Sequence, residues 1–219
     1  MSLWIKICAN TTLEDALLSA DAGADAVGFV FARSPRRVTV DQVAAIVPGL
    51  PAELEKIGVF VDAPLEEMVA AVEACGLTGV QLHFDAPREL TAALRARCGP
   101  ALRLLRVVHF NGAVADDPEP ADQDSAVDAV LVDSRSARAP GGTGVAFDWN
   151  LAAKTLFQNA GERKLIAAGG LAPDNVAEAI RILKPWGVDV ASGVESAPGR
   201  KDAARLRAFI ANARAAHRG

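Results

Sequence analysis

Cysteine is scarce in this chain of 219 residues: Cys8, Cys75 and Cys98 are the only three, and no two form a CxxC pair. An odd, scattered set argues against a disulfide framework or a cysteine-based zinc site and fits a reducing cytoplasm. No uninterrupted apolar run reaches membrane-spanning length, so no membrane span is expected. The first strand pattern begins almost at the N-terminus and leaves no room for a signal peptide. Positive charge is not in excess either. A formal net charge of −4 argues against nucleic acid as the main partner, although a local arginine cluster can still serve a small anion. There is no low-complexity tract and no linker. With 23% charged and 51% hydrophobic residues the chain reads as globular, and its length is enough to bury a full core.

What is present is a regular alternation. Short runs rich in Val, Ile, Leu and Phe occur at Trp4–Cys8, Ala26–Phe31, Lys56–Val61, Gly79–His83, Leu102–Val108, Ala129–Asp133, Lys164–Ala168 and Val188–Ala191. Nearly continuous apolar strands are what parallel sheets covered by helices require. Helical patterns separate them at Leu13–Ala22, Val40–Val47, Leu65–Cys75, Pro87–Arg97, Asn150–Asn159, Asn175–Leu183 and Lys201–Ala215. Thr12 and Ser196 read as helix-terminus signals. The fifth connection, Ala113–Ser125, holds two prolines and predicts a loop with at most a helical turn, and Arg135–Gly144 also reads as a loop. Eight strands with crossovers point to one α/β domain over residues 1–219, a (β/α)8 TIM barrel, rather than an open flavodoxin-like sheet of five or six strands.

In such a barrel the chemistry gathers at the carboxyl ends of the strands. Two successive strands there run into glycine, at Gly169-Gly170 and at Ser192-Gly193. Glycine lets backbone N–H groups approach an anion closely, and the loops after strands 7 and 8 commonly hold a substrate phosphate. Cys8 ends strand 1 and Asp133 ends strand 6, so a thiolate base and a carboxylic acid can face one substrate from separate sides, as a proton-shuffling isomerisation needs. The alternative for a lone cysteine is a small buried hydrophobe, which suits Cys75 and Cys98. For Asp133 it is a local turn cap. Period-2 geometry puts Lys6 on the side of Cys8, pointing into the barrel, where it can favour the thiolate. An inward lysine needs a partner, and Asp189 on the adjoining strand 8 is the expected one. Arg36, beside Arg37 in the loop after strand 2, can hold a carboxylate through its planar fork, against a surface salt bridge as the plainer role. His83 and His109 lack a metal spacing, so a polar rim or packing role is expected.

These residues sit within a longer ordered set. Lys6-Ile7-Cys8, Gly23-Ala24-Asp25-Ala26-Val27-Gly28-Phe29, Ser34-Pro35-Arg36, Gln81-Leu82-His83, Val132-Asp133-Ser134 and Gly141-Gly142-Thr143-Gly144 follow one another along the chain. Ala168-Gly169-Gly170-Leu171, Ser192-Gly193-Val194-Glu195, Pro198-Gly199 and Lys201-Asp202 complete it. The whole chain resembles the phosphoribosylanthranilate isomerase family of tryptophan biosynthesis. The resemblance implies an Amadori rearrangement of N-(5-phosphoribosyl)anthranilate to 1-(2-carboxyphenylamino)-1-deoxyribulose 5-phosphate, without metal or organic cofactor. It implies Asp133 as general acid, Cys8 as general base and Arg36 on the anthranilate carboxylate, with His83 also at the substrate. Backbone of Gly142-Thr143-Gly144, Gly169-Gly170 and Ser192-Gly193 would hold the phosphate. The implied partner is thus a phosphorylated small molecule, with neither nucleic acid nor membrane, and with monomer and homodimer both open.

The chain departs from the family pattern at Ala9 and Phe84, where glycine is usual, and at Asn10 and Ala191. If those glycines serve positive φ or close ligand approach, Ala9 strains the mouth and Phe84 narrows it, unless Phe84 turns outward onto the next helix. A narrowed mouth would suit a paralogue that isomerises, or merely binds, a different ribose-phosphate conjugate.

Overall fold

The computed structural model describes residues 2–110, 124–134 and 148–218. Eight parallel strands close in sequence order: β1 (Trp4–Ile7), β2 (Ala26–Val30), β3 (Glu55–Phe60), β4 (Gly79–Leu82), β5 (Arg103–Phe110), β6 (Ala129–Ser134), β7 (Leu165–Ala167) and β8 (Gly187–Val190). Each expected strand is found, with ends shifted by one or two residues. The seam is closed by β1 on β8, where Lys6 is in register with Asp189. Helices α1 (Leu13–Asp21), α2 (Val40–Ile46), α3 (Leu65–Cys75), α4 (Arg88–Cys98), α5 (Trp149–Ala152), α6 (Val176–Leu183) and α7 (Ala203–Arg218) accompany the strands. None among the described residues is long and apolar enough to cross a membrane. The proline-rich fifth connection and the Arg135–Gly144 loop fall outside the described residues, apart from the end of the former at Asp124 and Ser125.

Alternation along the strands sorts their side chains. Trp4, Ala26, Ile57, Leu105, Ala129 and Ile166 join one apolar cluster low in the barrel. The opposite faces meet the helices; thus Val176, Ala179, Ile180 and Leu183, spaced three and four apart on α6, pack with Ile5, Ile7 and Val188. Thr12 caps α1 by accepting from the Asp15 N–H at 3.2 Å, as expected.

Two expected helices differ. Asn150–Asn159 proves to be the short α5 followed by a π-helical turn, Ala153–Phe157. The last helix begins at Ala203, because residues before it form a small hairpin of β9 (Glu195–Ala197) and β10 (Arg200–Lys201). Ser196 therefore lies in a strand, and Asp202 makes the terminal bonds, accepting from the N–H groups of Ala204 at 3.0 Å and Arg205 at 2.9 Å. The Pro198-Gly199 turn in that hairpin was a local signal, but the pairing it permits is invisible in a helical periodicity.

Lys6 is fully buried and donates to Asp189 Oδ1 at 2.9 Å, as its inward position requires. Burial alone would lower the lysine pKa, but the charge of Asp189, with a smaller contribution from Cys8, leaves it above the ordinary value. Gly28 makes room for this arrangement: a Cβ there would lie 2.8 Å from Cys8 Sγ and 3.0 Å from Lys6 Cε. Removing one member of a buried pair strands the other charge, which costs about 3–5 kcal/mol. Asp189→Asn should lose that order of stability in urea unfolding. Cutting the exposed Arg97–Glu66 pair with Glu66→Gln should leave stability nearly unchanged, because solvent screens it. Equal effects would show that the seam does not depend on the buried pair.

Candidate active site

A cavity of about 340 Å³ opens at the carboxyl ends of the strands. Cys8, Arg36, His83 and Asp133 all line it, together with Gln81 and Asp189. The expected acid, base, arginine and histidine are thus brought to one space, although the sequence separates Cys8 from Asp133 by most of the barrel.

Asp133 is the penultimate residue of β6 and is only 6% exposed. Its Oδ1 has no hydrogen-bond partner among the described residues, and Oδ2 lies 4.0 Å from His83 Nε2. A buried carboxylate with so little compensation holds its proton more tightly. Burial, with the neighbouring charge of Asp189, pushes Asp133 up to about 6, against the partial relief of the Ser134 N–H and Lys6. The turn-cap alternative leaves this orphaned oxygen unexplained. Gly169 is the reason the acid fits: a Cβ at that position would stand 2.4 Å from Asp133 Oδ1 and 2.5 Å from the Ser134 nitrogen.

Cys8, just beyond β1, is 7% exposed. Burial raises its thiol above the ordinary value; Lys6 and Lys201 pull the other way, and Asp189 adds to the rise. Lys6 therefore favours the thiolate, as expected from its position, without overcoming desolvation. Ala9 has φ +61°, the left-handed region that glycine occupies freely. For an L-residue this costs about 1–2 kcal/mol, so the strain anticipated at Ala9 is present. The narrowing anticipated from Phe84 is not. Phe84 packs with the apolar layer of Met68, Leu82, Ala86 and Leu94, has no positive φ, and takes no part in lining the cavity.

His83 is pushed down to about 4 by burial, with His109 and Lys6 adding to the effect, so it is neutral at physiological pH. Its Nδ1 is 3.5 Å from Gln81 Nε2, and its ring meets His109 edge-on at 5.3 Å between centroids. His83, His109 and Asp133 each bring one donor-type atom within 4.8 Å of the others, a set that could offer ligands to a cation although the sequence shows no metal spacing.

Gly169 and Gly170 follow β7 with φ +75° and +68°, and Asn175 ties their loop down, donating to the Gly170 carbonyl at 2.9 Å and accepting from the Ala172 N–H at 2.8 Å. Ser192 and Gly193 begin a 3-10 turn after β8. Gly193 lies so close to the Leu171 carbonyl that any Cβ would collide with it. The loops after strands 7 and 8 therefore meet, as a shared phosphate cradle needs. Gly142, Thr143 and Gly144 lie outside the described residues.

Sequence reasoning missed the grip on Arg36. Glu195 takes its guanidinium through Nε at 2.9 Å and Nη2 at 2.7 Å. Glu195 stands far along the chain, and only its place in the ordered motif hinted at a role. Gln81 was passed over too, a polar residue at an inward strand position.

The same burial that arms Asp133 destabilises the fold. Its pKa rises from 3.8 unfolded to about 6 folded. The native state is therefore unpenalised below pH 3.8 and loses stability as pH rises through 6, by about 2–3 kcal/mol in all. Asp133→Asn should be more stable than the native protein by that order in urea unfolding at pH 7.5, with the gap closing near pH 4. A gap that stays constant with pH would contradict the burial argument.

The chain is similar to known proteins over most of its length. A family model described as N-(5'-phosphoribosyl)anthranilate (PRA) isomerase matches residues 5–212. N-(5'-phosphoribosyl)anthranilate isomerase of Pelobacter propionicus is 46% identical over 208 residues, 94% of this chain and 93% of its own length. That of Geobacter sulfurreducens is 46% identical over 211 residues, 96% of this chain and 98% of its own. Among solved structures, phosphoribosyl anthranilate isomerase from Thermotoga maritima superposes with a TM-score of 0.85 at 35% identity, covering 97% of this chain and 99% of that one. A phosphoribosyl anthranilate isomerase in complex with reduced 1-(o-carboxyphenylamino)-1-deoxyribulose 5-phosphate gives 0.82 at 34% identity, with the same coverage. The chain belongs to the N-(5'-phosphoribosyl)anthranilate isomerase family.

Proposed function

We propose that this barrel converts N-(5-phosphoribosyl)anthranilate into 1-(2-carboxyphenylamino)-1-deoxyribulose 5-phosphate, an aldose–ketose isomerisation in tryptophan biosynthesis, with Asp133 as the acid and Cys8 as the base. The observation that carries the assignment is the pairing, in one cavity, of a buried carboxyl held up to about 6 with a cysteine thiol. The protonated Asp133 gives its proton to the ribose ring oxygen as the C1–O bond breaks, leaving an iminium at C1. The Cys8 thiolate then takes the C2 proton, and the electron pair neutralises the iminium as an enolamine. Tautomerisation yields the ketone, so atoms and charge balance through proton transfers alone.

Arg36 takes the anthranilate carboxylate, and neutral His83 meets the substrate near Asp133. The phosphate is held by Gly169, Gly170, Ser192 and Gly193, with Gly142, Thr143 and Gly144 completing the cradle. That a similar solved protein was crystallised with reduced 1-(o-carboxyphenylamino)-1-deoxyribulose 5-phosphate, a molecule with a carboxylate and a phosphate, supports this reading. Cytoplasmic placement fits both the pathway and the unpaired cysteines.

The two titrations have an unusual order. With Asp133 near 6 and the Cys8 thiol raised by burial above its ordinary range, the ionised acid and neutral thiol predominate between the two titrations. The reactive arrangement, neutral carboxyl and thiolate, is a proton isomer of that state and makes up a small fraction of it. Because the proton count is the same, kcat/KM should be flat above about pH 6 until the Cys8 thiol itself ionises, and fall about tenfold per unit below 6. An acid limb centred near 9 would contradict the assignment. With enzymatically generated substrate, Cys8→Ala and Asp133→Asn should each lower kcat/KM by about 10²–10⁴-fold. Near-native turnover in both variants, or failure to complement a tryptophan auxotroph lacking this step, would defeat the proposal.

A further inference from the structure

The β9–β10 hairpin carries Glu195, Gly199 and Lys201, which have no role in the chemistry above. The charged ends of Glu195 and Lys201 point at that chemistry, whereas Arg200 turns to Glu14 and Asp15. The Glu195 carboxylate is 4% exposed and grips Arg36 on two nitrogens, at 2.9 Å from Nε and 2.7 Å from Nη2. It also accepts from the Gly199 N–H at 3.2 Å and from Lys201 Nζ at 3.4 Å. The Lys201 side chain is fully buried and gives its shorter bond, 2.5 Å, to the carbonyl oxygen of Cys8. One side of that carbonyl is the candidate base, and the other is Ala9 in its left-handed strain.

We propose that Glu195 and Lys201 are positioning residues, Glu195 setting the Arg36 guanidinium and Lys201 setting the backbone and charge at Cys8, with their ion pair joining the two. The inference rests on the reading of Cys8 as base and Arg36 as carboxylate anchor. The physical argument is one of misfit. A strained Ala9 relaxes if nothing holds its peptide, and relaxation swings Cys8 away from C2. Arg36, without Glu195, is a long side chain free among several rotamers. Holding both from one short hairpin fixes the separation between the two ends of the substrate. Lys201 also supplies positive charge near the thiol, alongside Lys6 from β1 and Arg36 from the loop after β2, against Asp189 from β8. Burial lowers the pKa of Lys201, and Glu195 opposes that effect.

The test compares Lys201→Met with Lys201→Arg. The readout is the pH dependence of Cys8 alkylation by iodoacetamide, followed by peptide mapping so that Cys75 and Cys98 do not interfere. Losing the charge should move the Cys8 profile to higher pH, and arginine should restore it. Superimposable native and Lys201→Met profiles would overturn the role of Lys201. Glu195→Gln should raise KM for phosphoribosylanthranilate about tenfold or more, up to the ~10²-fold that a misplaced group costs, while kcat changes much less. An unchanged KM, with only the melting temperature lowered, would reduce Glu195 to a structural residue. Alkylation needs no turnover. A native protein that leaves phosphoribosylanthranilate unreacted would defeat the functional reading, and the alkylation profiles would then decide Lys201 alone.

Discussion

The ion pair between Lys6 and Asp189 is the constraint on which the site depends. It spans the seam where β8 meets β1, so it helps close the barrel, and it lies beneath the mouth next to Cys8. A fully buried ammonium is tolerable only with its carboxylate in place. Once there, its field reaches both Cys8 and Asp133. It favours the charged form of Cys8 and of Asp133, while Asp189 opposes ionisation of each. The pair thus sets a balance in which burial wins at both positions, leaving an acid that keeps its proton longer and a thiol slow to lose one.

Tight packing around the acid follows from the same economy of space. Gly28 gives Cys8 and Lys6 their room, and Gly169 gives Asp133 its room, each by lacking a Cβ. The left-handed backbone at Gly169 and Gly170 then turns the chain toward the loop after β8, where Gly193 meets Leu171. Asp133 and the loops after β7 and β8 are therefore one packed unit. Ala9 is the exception, an L-residue in a conformation better suited to glycine, sustained because the bonds around it over-determine its place.

Much of this was legible before any coordinates. Continuous apolar strands and their spacing reveal a parallel barrel, and period-2 alternation places Lys6 inward with Cys8. Asp189 on the neighbouring strand follows from the need to neutralise a buried charge. The misreadings have local causes. Ser196 and Lys201 lie in a stretch where turn residues precede a helical pattern, and periodicity cannot distinguish a two-residue strand from a helix start. Phe84 could be assigned to either face, because one residue past a strand the alternation no longer binds.

Sequence alone determined the fold class, the ordered motif and the chemical types at each strand end, since these depend on hydrophobic period and residue identity. Only the tertiary structure decided how those groups act on one another. The upward shift of Asp133 to about 6 depends on burial and on charges brought from other strands. The grip of Glu195 on Arg36 joins residues 159 positions apart. That of Lys201 on the Cys8 carbonyl joins residues 193 apart. Solvation and electrostatics act through space, and the closed barrel is what makes those distances short.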